Sequence, residues 1–112
     1  MSPSLFTNFG ADATKIVSKI SESRVFSLSC HNINAASRYL QLHDTVTALA
    51  GTEVPLVSFL VPSGATVIIG TDWFGTEGLR FSVGITFAFS TTEGTYTAGT
   101  NTDQFTQIRY SS

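Results

Sequence analysis

Alternation of large and small side chains is the strongest signal in this chain, and it is clearest in residues 79–90. The odd positions there hold Leu79, Phe81, Val83, Ile85, Phe87 and Phe89, and the even ones Arg80, Ser82, Gly84, Thr86, Ala88 and Ser90. A helix would scatter the six large side chains around its circumference, whereas a strand gathers them on one face. The run predicts one strand roughly 40 Å long, apolar on one side and in need of a second layer. Its small even side leaves room for another sheet, chain or partner. Gly84, midway along, predicts a bulge, a bend or a close backbone approach.

The rest of the chain repeats the period. Residues 24–30 alternate, with Phe26, Leu28 and Cys30 on one face, and residues 38–43 place Leu40 and Leu42 inward. A long connection, residues 44–55, precedes residues 56–61, which are apolar on both faces and so predict a central, buried strand. Pro62-Ser63-Gly64 marks a turn before a strand over 66–70, and residues 71–78 form a loop with Trp73 beside Phe74. Thr91-Thr92-Glu93-Gly94 reads as a hairpin turn, residues 95–97 as a short strand, and 104–110 as a last alternating one. Such strands with turn signals between them predict an all-β, single-domain, antiparallel β-sandwich or jelly-roll-like fold over residues 24–112.

Residues 1–23 differ, and are expected to form an extended N-terminal arm. Ser2-Pro3-Ser4 and Asn8-Phe9-Gly10 are turn or coil signals, with Leu5, Phe6 and Phe9 among polar neighbours. Ile16, Val17 and Ile20 recur at helical spacing after Asp12, a possible cap, and the same segment also suits an irregular strand. The arm is expected to dock its apolar side chains on a neighbour.

Composition sharpens this picture. Only 12% of residues are charged, and Ser plus Thr fill 30 positions of 112, a mixture that suits pleated, half-wet strand surfaces. Lone β proteins guard their sheet edges with Lys, Pro and inward charges; here the only lysines are Lys15 and Lys19, so cover by other subunits or by the arm is expected. The net charge of −2 gives no electrostatic footprint for nucleic acid or an anionic membrane. No basic-then-apolar leader and no run of about 20 apolar residues is visible, so the chain is expected to be made in the cytosol and to stay soluble until it joins something.

Catalytic chemistry finds little to work with. His43 and Asp44 are adjacent, which on a strand turns them to opposite faces, a poor arrangement for a base and its orienter. Cys30, His31 and His43 lack zinc-ligand spacing, and Glu93, Asn101 and Asp103 match no calcium loop, being better read as solvated turn residues. The lone Cys30 reads as a small buried apolar residue. No nucleophile elbow or phosphate cradle is present. Arg38 and Arg80 fall within strands and are expected in ion pairs, with Glu53, Asp44 or Asp72 as conceivable partners. No catalytic, cofactor-binding or metal-ligating residue is therefore assigned. Trp73 and Phe74 read either as an interface anchor or as a loop tucked over an open end of the sandwich.

Three stretches in order carry a family resemblance: Asn34-Ala35-Ala36-Ser37-Arg38-Tyr39-Leu40-Gln41-Leu42-His43-Asp44, then Pro55-Leu56-Val57-Ser58-Phe59-Leu60-Val61-Pro62, then Gly78-Leu79-Arg80-Phe81-Ser82-Val83-Gly84-Ile85 with Ala88-Phe89-Ser90-Thr91-Thr92. Over residues 32–110 the chain resembles small β-rich virion proteins of tailed bacteriophages, among them capsid decoration (cement) proteins. The resemblance implies a non-enzymatic protein on the capsid surface of a virion, binding the major capsid protein, as a homotrimer, with no nucleic acid or membrane partner. The residues expected at the capsid or subunit interface are Leu5, Phe6, Phe9, Ile16, Ile20, Trp73 and Phe74. The competing expectation is a tail, fibre or baseplate adsorption module whose Trp73, Tyr96 and Tyr110 stack on a host surface glycan.

Overall fold

A computed structural model describes residues 4–9, 14–98 and 104–111, residues 8 and 9 by their backbone alone. In chain order the elements are β1 (Ser4–Phe9), β2 (Thr14–Ser18), β3 (Ser23–Asn32), β4 (Arg38–Asp44), β5 (Val57–Val61), β6 (Thr66–Ile69), the single-turn helix α1 (Thr71–Phe74), β7 (Leu79–Phe81), β8 (Ile85–Ser90) and β9 (Gln104–Ser111). They form two antiparallel sheets packed as a β-sandwich. One has the order β1-β9-β3-β6, with β7 also paired to β3; the other has the order β2-β8-β4-β5.

The alternation read from the sequence builds the core. Leu40, Leu42, Ile85, Phe87 and Phe89 of the four-stranded sheet face Val25, Leu28, Cys30, Phe81 and Ile108 of the five-stranded one, all in one buried cluster. The segment expected as an arm supplies an edge strand to each sheet. β1 pairs with β9, and β2 pairs with β8 through a register shift between Ile16 and Ser18. Of the two forms open to this segment, the strand is the one found, ending at Ser18 with Lys19 and Ile20 beyond it, and Asp12 lies outside the described residues.

The single long strand expected over 79–90 is two strands in different sheets. β7 pairs with β3, then the chain turns at Ser82, Val83 and Gly84 and enters the other sheet as β8. Two features fix this corner. The Asp44 carboxylate accepts hydrogen bonds from the backbone N–H groups of Ser82, Val83 and Gly84, at 3.1, 2.8 and 3.2 Å. Gly84 packs so closely that a Cβ there would lie 2.4 Å from Val46 Cγ1 and 2.6 Å from the Ser18 carbonyl oxygen. The alternation breaks at this point, since Val83 is half exposed.

Three further expectations change. Residues 57–61 form an edge strand rather than a central one: Val57, Phe59 and Val61 pack on the core while Leu60 points outward, half exposed. Phe26 does not share the inward face of Leu28 and Cys30, because a register shift between Val25 and Ser27 makes it the extra residue of a bulge and changes the phase of β3. Residues 95–97 are not a strand; an isolated Ser90–Ala98 bridge closes a loop there. The turn at Pro62-Ser63-Gly64 is present, with Ala65 N–H donating to the Pro62 carbonyl at 3.0 Å and Gly64 at φ 73°. It carries the chain from one sheet to the other instead of closing a hairpin.

Candidate functional site

A sandwich has two outer faces, and here they differ. The outer face of the four-stranded sheet is roofed by residues 45–56 and 91–98. Beneath that roof lie Gln41, His43, Thr86, Ala88, Ser90 and Tyr96, all buried. The Gln41 amide nitrogen donates toward the carbonyls of Thr92, Glu93 and Thr95 at 2.8–3.1 Å. That fixes the amide's orientation, since only its NH2 group can face carbonyls. Gln41 Oε1 therefore accepts, and His43 Nε2 carries the proton it donates across 2.9 Å. Ser90 Oγ donates to the Thr92 and Thr95 carbonyls, and the Thr86 hydroxyl to the Thr45 carbonyl. The two loops are tied together as well, Thr52 N–H to the Tyr96 carbonyl and Tyr96 N–H to the Glu53 carbonyl, at 3.0 and 2.7 Å.

Burial of the His43 ring lowers its pKa below the ordinary 6.5, only partly offset by the attraction of Glu53. The other ionisable neighbours are Tyr96, whose ring meets His43 edge-on, and Asp44, the next residue on the strand. The unfolded chain then takes up a proton near pH 6.5 that the folded chain refuses, so stability is full above that pH and falls as pH drops below it. Glu22 and Glu53, held below the ordinary 4.5 by the Arg80 hydrogen bond and by the Ala50 and Gly51 N–H groups respectively, lose their share only at lower pH. A declining urea midpoint between pH 7 and 5, flattened in His43→Gln, is the expected result; an unchanged slope in the variant would acquit His43.

Among the described residues, the outer face of the five-stranded sheet has no such roof. Register places Leu5 (64% exposed) beside Arg109 and Ser27, and Gln107 beside Ser29 and then Ile68 (76% exposed). A further row holds Phe105 (42% exposed) against His31, whose rings stack with centroids 6.2 Å apart. Ser27 and Ser29 are small, so a concavity of about 370 Å³ opens over them, walled by Leu5, Ile68, Gln107 and Arg109. At one end of this face Arg80 forms a forked pair with Glu22, a partner the sequence did not suggest, and Arg24 Nη1 donates to the Glu77 carbonyl. The Arg80–Glu22 pair is solvent-exposed, which makes it a minor contributor to stability.

The interface residues expected from the sequence do not share one surface. Leu5 stands on the open face. Phe6, on the opposite side of β1, packs against the core with its ring 6.4 Å from that of Phe87. Phe9 pairs with Phe105 by its backbone, and its side chain lies outside the described residues. Ile16 is half buried on β2, lining a separate concavity of about 310 Å³ beside Ala48 and Leu49, and Ile20 is exposed between β2 and β3. Trp73 is half exposed and lies edge-on to Phe59 and Phe74, at 5.0 Å from each, while Phe74 is buried in the core. Tyr96 is under the roof and Tyr110 packs on the core, so Trp73, Tyr96 and Tyr110 do not assemble into a sugar platform.

Ile68, Phe105 and Arg109 were not singled out from the sequence, although one signal was there. Val67, Ile68 and Ile69 are apolar on both faces of a strand, and Val67 and Ile69 fill the core, leaving Ile68 outward. Among the described residues no three His, Cys, Asp or Glu side chains gather in the way a metal ion needs. Asn101 and Asp103 lie outside those residues. No family model matches the chain, and no curated protein or solved structure matches it.

Proposed function

We propose that this chain is a non-enzymatic structural protein of a tailed-phage virion, a capsid cement or decoration protein that joins the major capsid shell as a homotrimer. The observation that carries the reading is the contrast between the two outer faces. On one the chain's own loops cover the centre, over β4 and β8, and leave Leu60 half exposed on the edge strand β5, while the other leaves Leu5, Ile68 and Phe105 in solvent around a shallow trough. Exposed apolar side chains grouped on one face mark an interaction surface. The resemblance of three stretches, in order, to tailed-phage virion proteins supports the virion setting, and the sparse charge on the sheet edges fits a protein whose edges are covered in an assembly. Copies joined as a trimer turn modest single contacts into tight attachment.

Co-sedimentation with purified empty capsid shells, together with native mass, tests this. Pelleting with shells and a trimeric mass are expected. A monomer that stays in the supernatant at every shell concentration would remove the reading.

A further inference from the structure

We infer that the open face of the five-stranded sheet receives a protein segment whose contacting side is apolar and carries an aspartate or glutamate opposite Arg109. The inference rests on the docking reading above and names the chemistry of the partner.

Charge is the first argument. The five strands of this sheet hold Arg24, Arg80, Arg109 and His31 and not one Asp or Glu. Arg80 is paired with Glu22, which lies in the turn before β3. Arg109, by contrast, makes no ion pair among the described residues and stands exposed at the wall of the trough. An apolar segment laid over it without an acceptor would strand a desolvated, uncompensated guanidinium, which opposes binding. A carboxylate removes that penalty and matches the planar fork in a bidentate pair.

Shape is the second argument. Leu5 and Ile68 stand on the two outer strands of β1-β9-β3-β6, three strand spacings and one two-residue step apart, or about 15 Å. Between them the floor is Ser27 and Ser29. A single helix about 10–12 Å across, or a pair of strands, fits between these ridges and places apolar side chains on both. Face-to-face packing of two copies is opposed, because each would bring Arg109 to the other while the acid at the end of the face, Glu22, is already paired with Arg80. A glycan is disfavoured, because it offers nothing apolar to cover Leu5 and Ile68, and the exposed ring of Phe105 is already stacked on His31.

The test uses the full chain on empty capsid shells. Arg109→Glu is expected to weaken co-sedimentation by thirtyfold or more, the scale set by losing one member of a desolvated charge pair. Arg109→Lys is expected to fall between that variant and the wild type. Glu93→Arg, an exposed change on the roof, should leave binding unaltered. Carbodiimide treatment of the Arg109→Lys complex should couple the new amine to an Asp or Glu of the shell protein, identified by mass spectrometry of the joined peptides. Wild-type pelleting with no loss in Arg109→Glu would overturn the charge pairing while leaving the docking reading in place. No pelleting by the wild type would overturn both. Binding of the wild type to polygalacturonate in place of shells, abolished by Arg109→Glu, would assign the face to an acidic glycan and overturn the inference.

Discussion

Phe87→Ala is expected to cost about 3–5 kcal/mol and to lower the melting temperature by roughly 10–25 °C. Phe87 is fully buried in β8, which lies between β2 and β4 in its sheet, and its ring meets that of Phe6 from the opposite sheet. Truncation therefore removes contacts on both sides of the sandwich. The walls of the cavity, among them Leu40, Leu42 and Ile108, belong to hydrogen-bonded strands and have little freedom to collapse inward. The stability of an average domain is only about 5–15 kcal/mol, so this loss is a large share of the whole. Urea unfolding gives the number directly, and a change below 1 kcal/mol would mean the core is not packed as described.

Gly84→Ala is the second, at ~3 kcal/mol, the upper end of overpacking costs. Here the reason is space, since a methyl group at this corner meets both Val46 Cγ1 and the Ser18 carbonyl oxygen. The double variant Gly84→Ala with Val46→Ala separates the two obstacles. Trimming Val46 relieves the side-chain clash, but the Ser18 oxygen is backbone at the end of β2 and stays. Partial recovery is therefore expected. Full recovery would place the whole obstacle in the Val46 side chain, and no loss in the single variant would show the corner to be more open than this.

That corner also shows what the sequence could and could not convey. The period-2 pattern of residues 79–90 identifies strand structure correctly, because Leu79, Phe81, Ile85, Phe87 and Phe89 all end up on the inside of the sandwich. Periodicity says nothing about which sheet a strand joins, so one inward face served two sheets and the run read as one strand. Gly84 marked the place as a bend or close approach. The Asp44 bonds that set the corner join residues about 40 positions apart, and no local pattern announces them. The bulge in β3 hid in the same way: one inserted residue moved Phe26 off the face that its spacing assigned it.

The surface was less legible than the core. Leu5 was recognisable as an apolar residue with no local reason to be buried, and it does stand on the open face. Phe6 and Phe74 looked equally available, but pairing of β1 with β9, and the packing of α1 beside Phe59, turn them inward. The roof over Gln41 and His43 depends on two distant loops meeting through Thr52, Glu53 and Tyr96. Only once that roof is known does the bare state of the other face become informative.

The measurement that tests the central claim most directly is thiol labelling of one added cysteine at a time on assembled particles. Cys30 is fully buried and should stay unreactive in the folded protein. Gln107→Cys sits in the trough wall, and Glu93→Cys sits on the roof. Both should react with a maleimide in the free protein. On capsid shells the cysteine at 107 should be protected and the one at 93 should remain reactive. Equal labelling at 107 before and after assembly, or protection at 93 in its place, would contradict the assignment of the open sheet face as the docking surface.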